Sequence, residues 1–434
     1  MILILLSLII NPPDSLLGGA QIGFCFYDIT NDTFVVSYNW NKNFVPASNL
    51  KLLTTAAGLF LLGPQYRFKT KFGFDSDYNL YIIAGGDPTL TRKTFTKKLL
   101  EIKRKRGKTI KDIFIESRSI HGFRFPWGWS WHYLDAAYAP RMTGLILDGN
   151  TFDLMISPGD SIGDSIRYDY GPRFNDIQID NQAITFAPDS GWKIDLYREL
   201  GANRVHIYGG VGMEYQKKTI PISLIDPPSS HLQIVQNLFG NNHNVYILEK
   251  MDSLPDLKVT DSIVSLPLLI ILKRMNYESE NLYAEAIINR LSPSDTVAST
   301  LNGGINALKS LLARLRIDTS NTAIYDGSGL SRFNRITPLA MIKLLVAMYR
   351  SRYRDHFIST LPYGGEGTLW NRFKEEGTQI RCKTGTVYGV SCLSGYLLKD
   401  DGKIAFTIMI NDLLGKRRSV EKWQEGICRK FLEE

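Results

Sequence analysis

Val45-Pro46-Ala47-Ser48-Asn49-Leu50-Lys51-Leu52-Leu53-Thr54-Thr55-Ala56-Ala57 is the stretch on which the reading of this chain turns. The pattern predicts a short extended lead-in, a Pro turn and a helix that opens at Ser48. Lys51 follows one turn later, at the i, i+3 spacing that sets two side chains on one helical face. A lysine amine there reaches the serine hydroxyl. A serine is a weak nucleophile until a neighbour takes its proton, and a lysine can do so when burial and nearby positive charge lower its proton affinity.

Spacing alone does not single out Ser48, because Ser190 with Lys193 and Ser419 with Lys422 repeat it. An isolated Ser-x-x-Lys is usually a capping serine beside a solvated lysine. Two downstream segments distinguish the first match. Ser279-Glu280-Asn281 introduces an apolar helical run over 282–291, and Lys383-Thr384-Gly385-Thr386 opens a strand followed by a second strand. Lys383 begins the only Lys-Thr-Gly of the chain.

The chain has 434 residues, more than one ordinary domain, with 44% hydrophobic and 22% charged residues. This is a globular composition, and no apolar run reaches the roughly 20 residues of a membrane-spanning helix. Residues 1–10 are almost wholly apolar and are followed by Asn11-Pro12-Pro13-Asp14. We read 1–13 as a signal segment of atypical form, since the first basic residue is Lys42. A first core strand is the alternative. The formal charge of +8 suits an anionic partner. Its densest basic run, Lys97-Lys98 to Lys108, follows the apolar spacing of a helix and reads as a solvated face. No aromatic-basic ladder or nucleic-acid motif accompanies it, so no nucleic-acid partner is expected. An acidic cell-wall polymer is an adequate partner for that charge. Cys25, Cys382, Cys392 and Cys428 show no Cys-x-x-Cys and no metal spacing, and the histidines have no ligand spacing. Neither a metal nor another cofactor is expected. If the hairpin after Lys383 turns at Tyr388-Gly389, Cys382 lies opposite Gly395 and Cys392 opposite Gly385, so these two cysteines are not cross-strand partners.

Along the chain, alternation predicts a hairpin with strands at 22–27 and 33–38, and the helix after Ser48 packs on it. Short strands (67–75, 79–84, 112–116) and a helix (93–105) then give a mixed α/β region. An aromatic, turn-rich loop spans 127–131. Beyond Asn150, short strands with Gly and Pro turns run to about 215, the pattern of a small all-β insert. Helical periodicity returns at 231–239, 265–274, 280–291, 304–315 and 338–349. Strands at 381–386, 393–398 and 404–411 and a helix at 420–432 complete the chain. The simplest topology is one catalytic domain built from both chain ends (14–68 and 226–434). It carries an inserted mixed domain (69–152 and 212–225) and a small β domain (153–211).

The three motifs, in this order, resemble those of penicillin-binding proteins and serine β-lactamases. With Gly85-Gly86-Asp87-Pro88-Thr89-Leu90, Asp326-Gly327-Ser328-Gly329-Leu330-Ser331-Arg332 and Gly367-Thr368-Leu369, the whole chain resembles the D-Ala-D-Ala carboxypeptidases of the S13 type, the penicillin-binding protein 4 group. The resemblance implies a multi-domain α/β chain, a transpeptidase-like core with two inserted domains. It implies peptidoglycan stem peptides as substrates, β-lactam antibiotics as covalent inhibitors, and a periplasmic location with which peripheral membrane association is compatible. By physical reading and resemblance together, Ser48 attacks the terminal peptide carbonyl and Lys51 is its base. Ser279 and Lys383 relay a proton to the departing amine, and the Lys383 charge helps keep Lys51 neutral. Asn281 orients the substrate amide. Backbone N–H groups of Ser48 and Thr386 form the oxyanion hole, while Thr384, Gly385 and Thr386 form the strand that holds the terminal carboxylate. Arg332 matches an arginine that clamps a diaminopimelate side chain, and Asp135 is the nearest candidate for the acid opposite it. Ser328 lacks the Gly-x-Ser-x-Gly elbow and reads as a turn residue near the site. Two other functions stay open at this point: a β-lactamase, although no Glu-x-x-Leu-Asn is present, and a cell-wall-binding protein whose catalysis has lapsed.

Overall fold

The computed structural model describes residues 18–116, 125–133, 135–199, 202–248, 254–292, 300–415 and 417–433. The expected signal segment, 1–13, lies outside them. The chain divides into two compact units, Met1–Arg67 with Pro126–Trp129 and Leu266–Glu434, and Phe68–Phe125 with Ser130–Ser265.

The first unit is built on a five-stranded antiparallel sheet. Its strands are β1 (Gln21–Asp28), β2 (Thr33–Tyr38), β3 (Ile380–Val387), β4 (Val390–Leu398) and β5 (Lys403–Asn411), in the order β3-β4-β5-β1-β2. The two ends of the chain meet in it, because β1 pairs with β5 along their full length. Between 390 and 397 every residue of β4 is buried, which requires cover on both faces. On one face Leu393, Leu397, Phe406, Ile408 and Phe26 pack against Val420, Ile427, Cys428 and Phe431 of the C-terminal helix (Arg417–Glu433). On the other face Ser394 and Tyr396 meet the helical layer through Asn49 and through Leu345, whose carbonyl accepts the Tyr396 hydroxyl at 2.7 Å. That layer contains α1 (Lys51–Ala57), α2 (Leu268–Tyr277), α3 (Asn281–Arg290), α4 (Leu301–Arg314) and α5 (Pro338–Arg350).

β3 and β4 are joined at Tyr388-Gly389, with Gly389 at φ +72°. The register sets Cys382 opposite Gly395 and Cys392 opposite Gly385, as the turn position predicts, and all four cysteines are buried free thiols.

The second unit holds two cores. One surrounds a mixed sheet ordered Val245–Leu248, Ile113–Glu116, Leu80–Ile83, Lys69–Phe74, Lys258–Val264, covered by the helices Arg92–Arg106 and Pro227–Phe239. The basic run of the first helix points to solvent while Phe95, Leu99 and Ile102 face the sheet. The other core is all-β, with Phe152, Leu154, Ile156, Val205, Ile207, Val211 and Ile222 at its centre. The mixed and all-β characters agree with the sequence, but the boundaries differ. The second unit runs to Ser265, not 225, because the helix expected to return to the catalytic domain buries Val235 and Phe239 against the mixed sheet. The strands Thr151–Ser157 and Lys218–Ser223 pair with each other inside the β core, so that core begins before 153 and ends after 211. Among the described residues no helix is long and apolar enough to cross a membrane.

Candidate active site

Residues 44–59 are all buried except Ser48, which is partly exposed. A helix of Leu, Ala and Thr with no polar stripe has no solvent face to offer, so it sits inside the layer and opens at one residue. Burial of Leu50, Leu52, Leu53 and Leu59 contributes about 2 kcal/mol each to holding it there. The helix does not begin as α-helix at Ser48. Ala47–Leu50 forms a 3₁₀ turn and Lys51 starts α1. The tighter turn eclipses residues i and i+3, which brings Lys51 directly over Ser48.

Two close approaches fix this turn against its neighbours. A Cβ on Gly385 would lie 2.7 Å from the Pro46 carbonyl oxygen, so only glycine lets β3 run this close to the nucleophile. Gly329, at φ +85°, passes Ala47 so tightly that a Cβ would sit 1.8 Å from its carbonyl oxygen. Asn49 ties the turn to the sheet by donating from Nδ2 to Ser394 Oγ at 2.6 Å.

Lys51 Nζ lies 2.9 Å from Ser48 Oγ, 2.6 Å from Asn281 Oδ1 and 2.8 Å from the Ser328 carbonyl oxygen. Asn281 is the first residue of α3, delivered across 230 positions of sequence. Ser279, just before it, is held at φ +60°, a conformation that L-residues avoid. This aims its hydroxyl at Lys383 Nζ, 2.9 Å away. Lys383 also donates to the Thr384 carbonyl oxygen at 3.0 Å. Along β3, Lys383 and Gly385 are buried, Thr384 is partly exposed and Thr386 is exposed. Two Lys–Ser pairs therefore stand at the open end of α1.

Burial lowers Lys51 to about 7, against the pull of Asp326, Glu285 and Glu280. Lys383 is also lowered, by burial first and then by Lys51. Removal from water is the largest cause at both lysines, and their like charges disfavour each other. A buried amine is costly as a cation and keeps its lone pair near neutral pH.

The segment 326–332 was legible only as a family hallmark, and the structure gives it work. Asp326 is fully buried and accepts the Gly329 N–H at 2.9 Å, the Ser331 N–H at 2.7 Å and Trp129 Nε1 at 2.9 Å. Ser331 Oγ donates to the Trp127 carbonyl oxygen at 2.6 Å, and the Arg332 N–H donates to Gly128 at 3.2 Å. The stretch Pro126–Trp129 thus belongs to the first unit, interrupting the insert. Ser328 meets Lys51 through its backbone carbonyl, while its hydroxyl accepts the Leu330 N–H at 3.3 Å and turns to the buried acids Asp326 and Glu285. Glu285, buried in α3, has its carboxyl pushed up to about 8 by burial and by Asp326. Neither buried acid was read from the sequence. A lone Glu inside the apolar run 282–291 was the available signal.

Arg332 Nη1 donates to the Tyr388 carbonyl at the β3–β4 turn. It lines a cavity of about 470 Å³ with Arg335, Asp412, Asn43, Asn411 and Gln21. Asp135 lies in the second unit. It is half-buried there, its carboxyl raised by that burial and lowered by Arg198.

Residues 7–427 match the model of the D-Ala-D-Ala carboxypeptidase 3 (S13) family. The chain belongs to that family. Among relatives of this S13 protein, the D-alanyl-D-alanine carboxypeptidase of Actinomadura sp. (strain R39) is 27% identical over 427 residues, covering 92% of this chain and 79% of the relative. The D-alanyl-D-alanine carboxypeptidase DacB of Haemophilus influenzae is 25% identical over 422 residues, 91% of this chain and 86% of the relative. The crystal structure of penicillin binding protein 4 from H. influenzae superposes with a TM-score of 0.85 at 22% identity, covering 96% of this chain and 98% of that one. This likeness establishes the multi-domain α/β fold with a penicillin-binding core.

Proposed function

We propose that this S13 protein is a serine-type D-Ala-D-Ala carboxypeptidase of peptidoglycan stem peptides, with endopeptidase action on cross-links, and that β-lactams inhibit it covalently. The observation that carries this reading is the contact of Lys51 with Ser48 and Asn281 beside the Lys383–Ser279 pair. Family membership supports it, as does a structure of the H. influenzae relative complexed with a novel β-lactam.

Ser48 Oγ bonds to the carbonyl carbon of the penultimate D-alanine as its proton passes to Lys51 Nζ. The oxyanion so formed takes N–H bonds from Ser48 and Thr386, each typically worth about 3 kcal/mol. The C–N bond then breaks, and the departing D-alanine amine receives a proton through Ser279 and Lys383. Water hydrolyses the acyl-enzyme and frees Ser48. Thr384 and Thr386 hold the terminal carboxylate, and Gly385 lets the strand that carries them come close. This substrate lies outside the cytoplasmic membrane, so we assign the protein to the periplasm, reached through the apolar N-terminal segment. Incubation with purified monomeric and cross-linked muropeptides, products read by mass, tests the reading. Loss of one alanine from monomers is expected, and intact peptides from a folded protein would refute it.

Arg332 is assigned to the third-residue side chain, whose carboxylate a guanidinium suits. Arg332→Ala is expected to cost about 2 kcal/mol or more in kcat/KM for a diaminopimelate peptide, with diacetyl-Lys-D-Ala-D-Ala nearly unaffected. Because Arg332 also holds the Tyr388 carbonyl, equal losses of Arg332→Ala on both substrates would assign it to the β3–β4 turn alone.

A further inference from the structure

Glu285 of α3 has no part in the mechanism above, yet its carboxyl meets the two backbone N–H groups just before the carbonyl that touches the base; the N–H of that carbonyl's own peptide, at Gly329, goes to Asp326. Both Glu285 oxygens accept the Gly327 N–H at 3.1 Å, and Oε1 also accepts the Ser328 N–H at 2.9 Å. From α1, Thr54 Oγ1 donates to the Gly327 carbonyl oxygen at 2.6 Å. The next carbonyl along, that of Ser328, receives Lys51 Nζ.

The valence of the amine gives this arrangement its meaning. Neutral lysine has two N–H bonds and one lone pair. The Ser328 carbonyl and Asn281 Oδ1 have no proton to give, so each must take one of the N–H bonds. The direction left over is that of Ser48 Oγ, 2.9 Å away, and the lone pair faces the serine O–H. Were either oxygen displaced, the amine would turn among its three staggered positions and aim correctly in roughly one of three.

We propose that Glu285 is a positioning residue for acylation: by gripping the Gly327 and Ser328 N–H groups it fixes the carbonyl that directs the Lys51 lone pair onto Ser48. The proposal rests on the assignment of Ser48 as nucleophile and Lys51 as base. Glu285 touches no substrate, and its effect is confined to the proton-transfer step. Because the Glu285 carboxyl is raised to about 8 and holds its proton near neutral pH, a carboxamide would imitate it; a leucine of similar size instead leaves the Gly327 and Ser328 N–H groups without this acceptor, which frees the Ser328 carbonyl to move.

The test is stopped-flow acylation by benzylpenicillin, separating the first-order rate at saturation from the concentration that half-saturates it. Glu285→Leu is expected to lower the rate by about 30-fold or more while half-saturation stays within about twofold, since misaiming a bound reactant acts on rate and not on binding. Thr54→Val, isosteric and acting on the same peptide from α1, should lower the rate by roughly three- to tenfold. A general loosening of the fold would instead weaken half-saturation along with the rate. Native rates in both variants, or a loss confined to half-saturation, would overturn the proposal. If Glu285→Leu fails to fold, judged by its melting curve, Thr54→Val decides alone. A folded native protein that takes no penicillin overturns the parent assignment, whereas fast Glu285→Leu acylation of Ser48 overturns only the role of Glu285.

Discussion

Ser48→Ala is expected to abolish both penicillin labelling and D-alanine release, with a fall of about 10⁴-fold or more in turnover. The two rival Ser-x-x-Lys matches supply the control. Lys193 and Lys422 lie exposed to solvent, while Lys51 is fully buried and contacts Asn281 and the Ser328 carbonyl as well as its serine. Of the three Ser-x-x-Lys matches, Ser48 alone has its amine removed from water and held against the hydroxyl. Alanine leaves the burial of 44–59 intact, so the variant should melt like the native protein. Intact-mass measurement after penicillin treatment checks the claim. One adduct is expected on the native chain and none on the variant, and a penicilloyl mass persisting in Ser48→Ala would sink the assignment.

Lys51→Ala is expected to lower the acylation rate by about 10³-fold, within the usual range of a lost general base. The loss has a pH signature. With Lys51 near 7, the native rate should be half-maximal at about pH 7. Below that pH the amine is protonated and has no lone pair, so acylation falls about tenfold per pH unit. Above it the amine is free and the rate levels off. The variant's residual rate should lack this limb. Lys383→Ala should slow acylation less and also weaken binding of the substrate carboxylate, because its place is beside Ser279 and Thr384. Acylation of Lys51→Ala at the native rate would show that the base lies elsewhere.

The sheet and helices of the first unit were legible because each element carries its own pattern: two-residue alternation in β1 and β2, helical spacing in α3 and α5. The nucleophile, the base and the two distant motifs were legible for a different reason, since each is a short constellation with a fixed chemical task. What sequence did not carry was partnership. The helix Pro227–Phe239 is amphipathic wherever it packs, and nothing in its residues says that its apolar side meets the mixed sheet. The strands Val245–Leu248 and Lys258–Val264 went unread because both are edges of that sheet, short or largely exposed, and edge strands lack the apolar run of central ones. Glu285 and Asp326 were missed for the converse reason. A carboxylate is read as surface unless the backbone N–H groups that satisfy it are known, and those belong to a loop 42 or more residues away from Glu285.

The four unpaired cysteines lead to a separate property of the folded chain. Burial pushes the Cys25, Cys382 and Cys392 thiols up to about 12 and raises Cys428 well above the usual thiol range. The thiolate is the reactive form, so these four buried thiols resist alkylation while the fold is closed. The reagent sees a sulfur only when the surrounding layer opens. Because three of the thiols sit in β1, β3 and β4 and the fourth in the C-terminal helix, their alkylation rates time separate events. One common rate for all four marks cooperative unfolding of the first unit, and earlier reaction of Cys428 marks a C-terminal helix that peels from the sheet before the strands part.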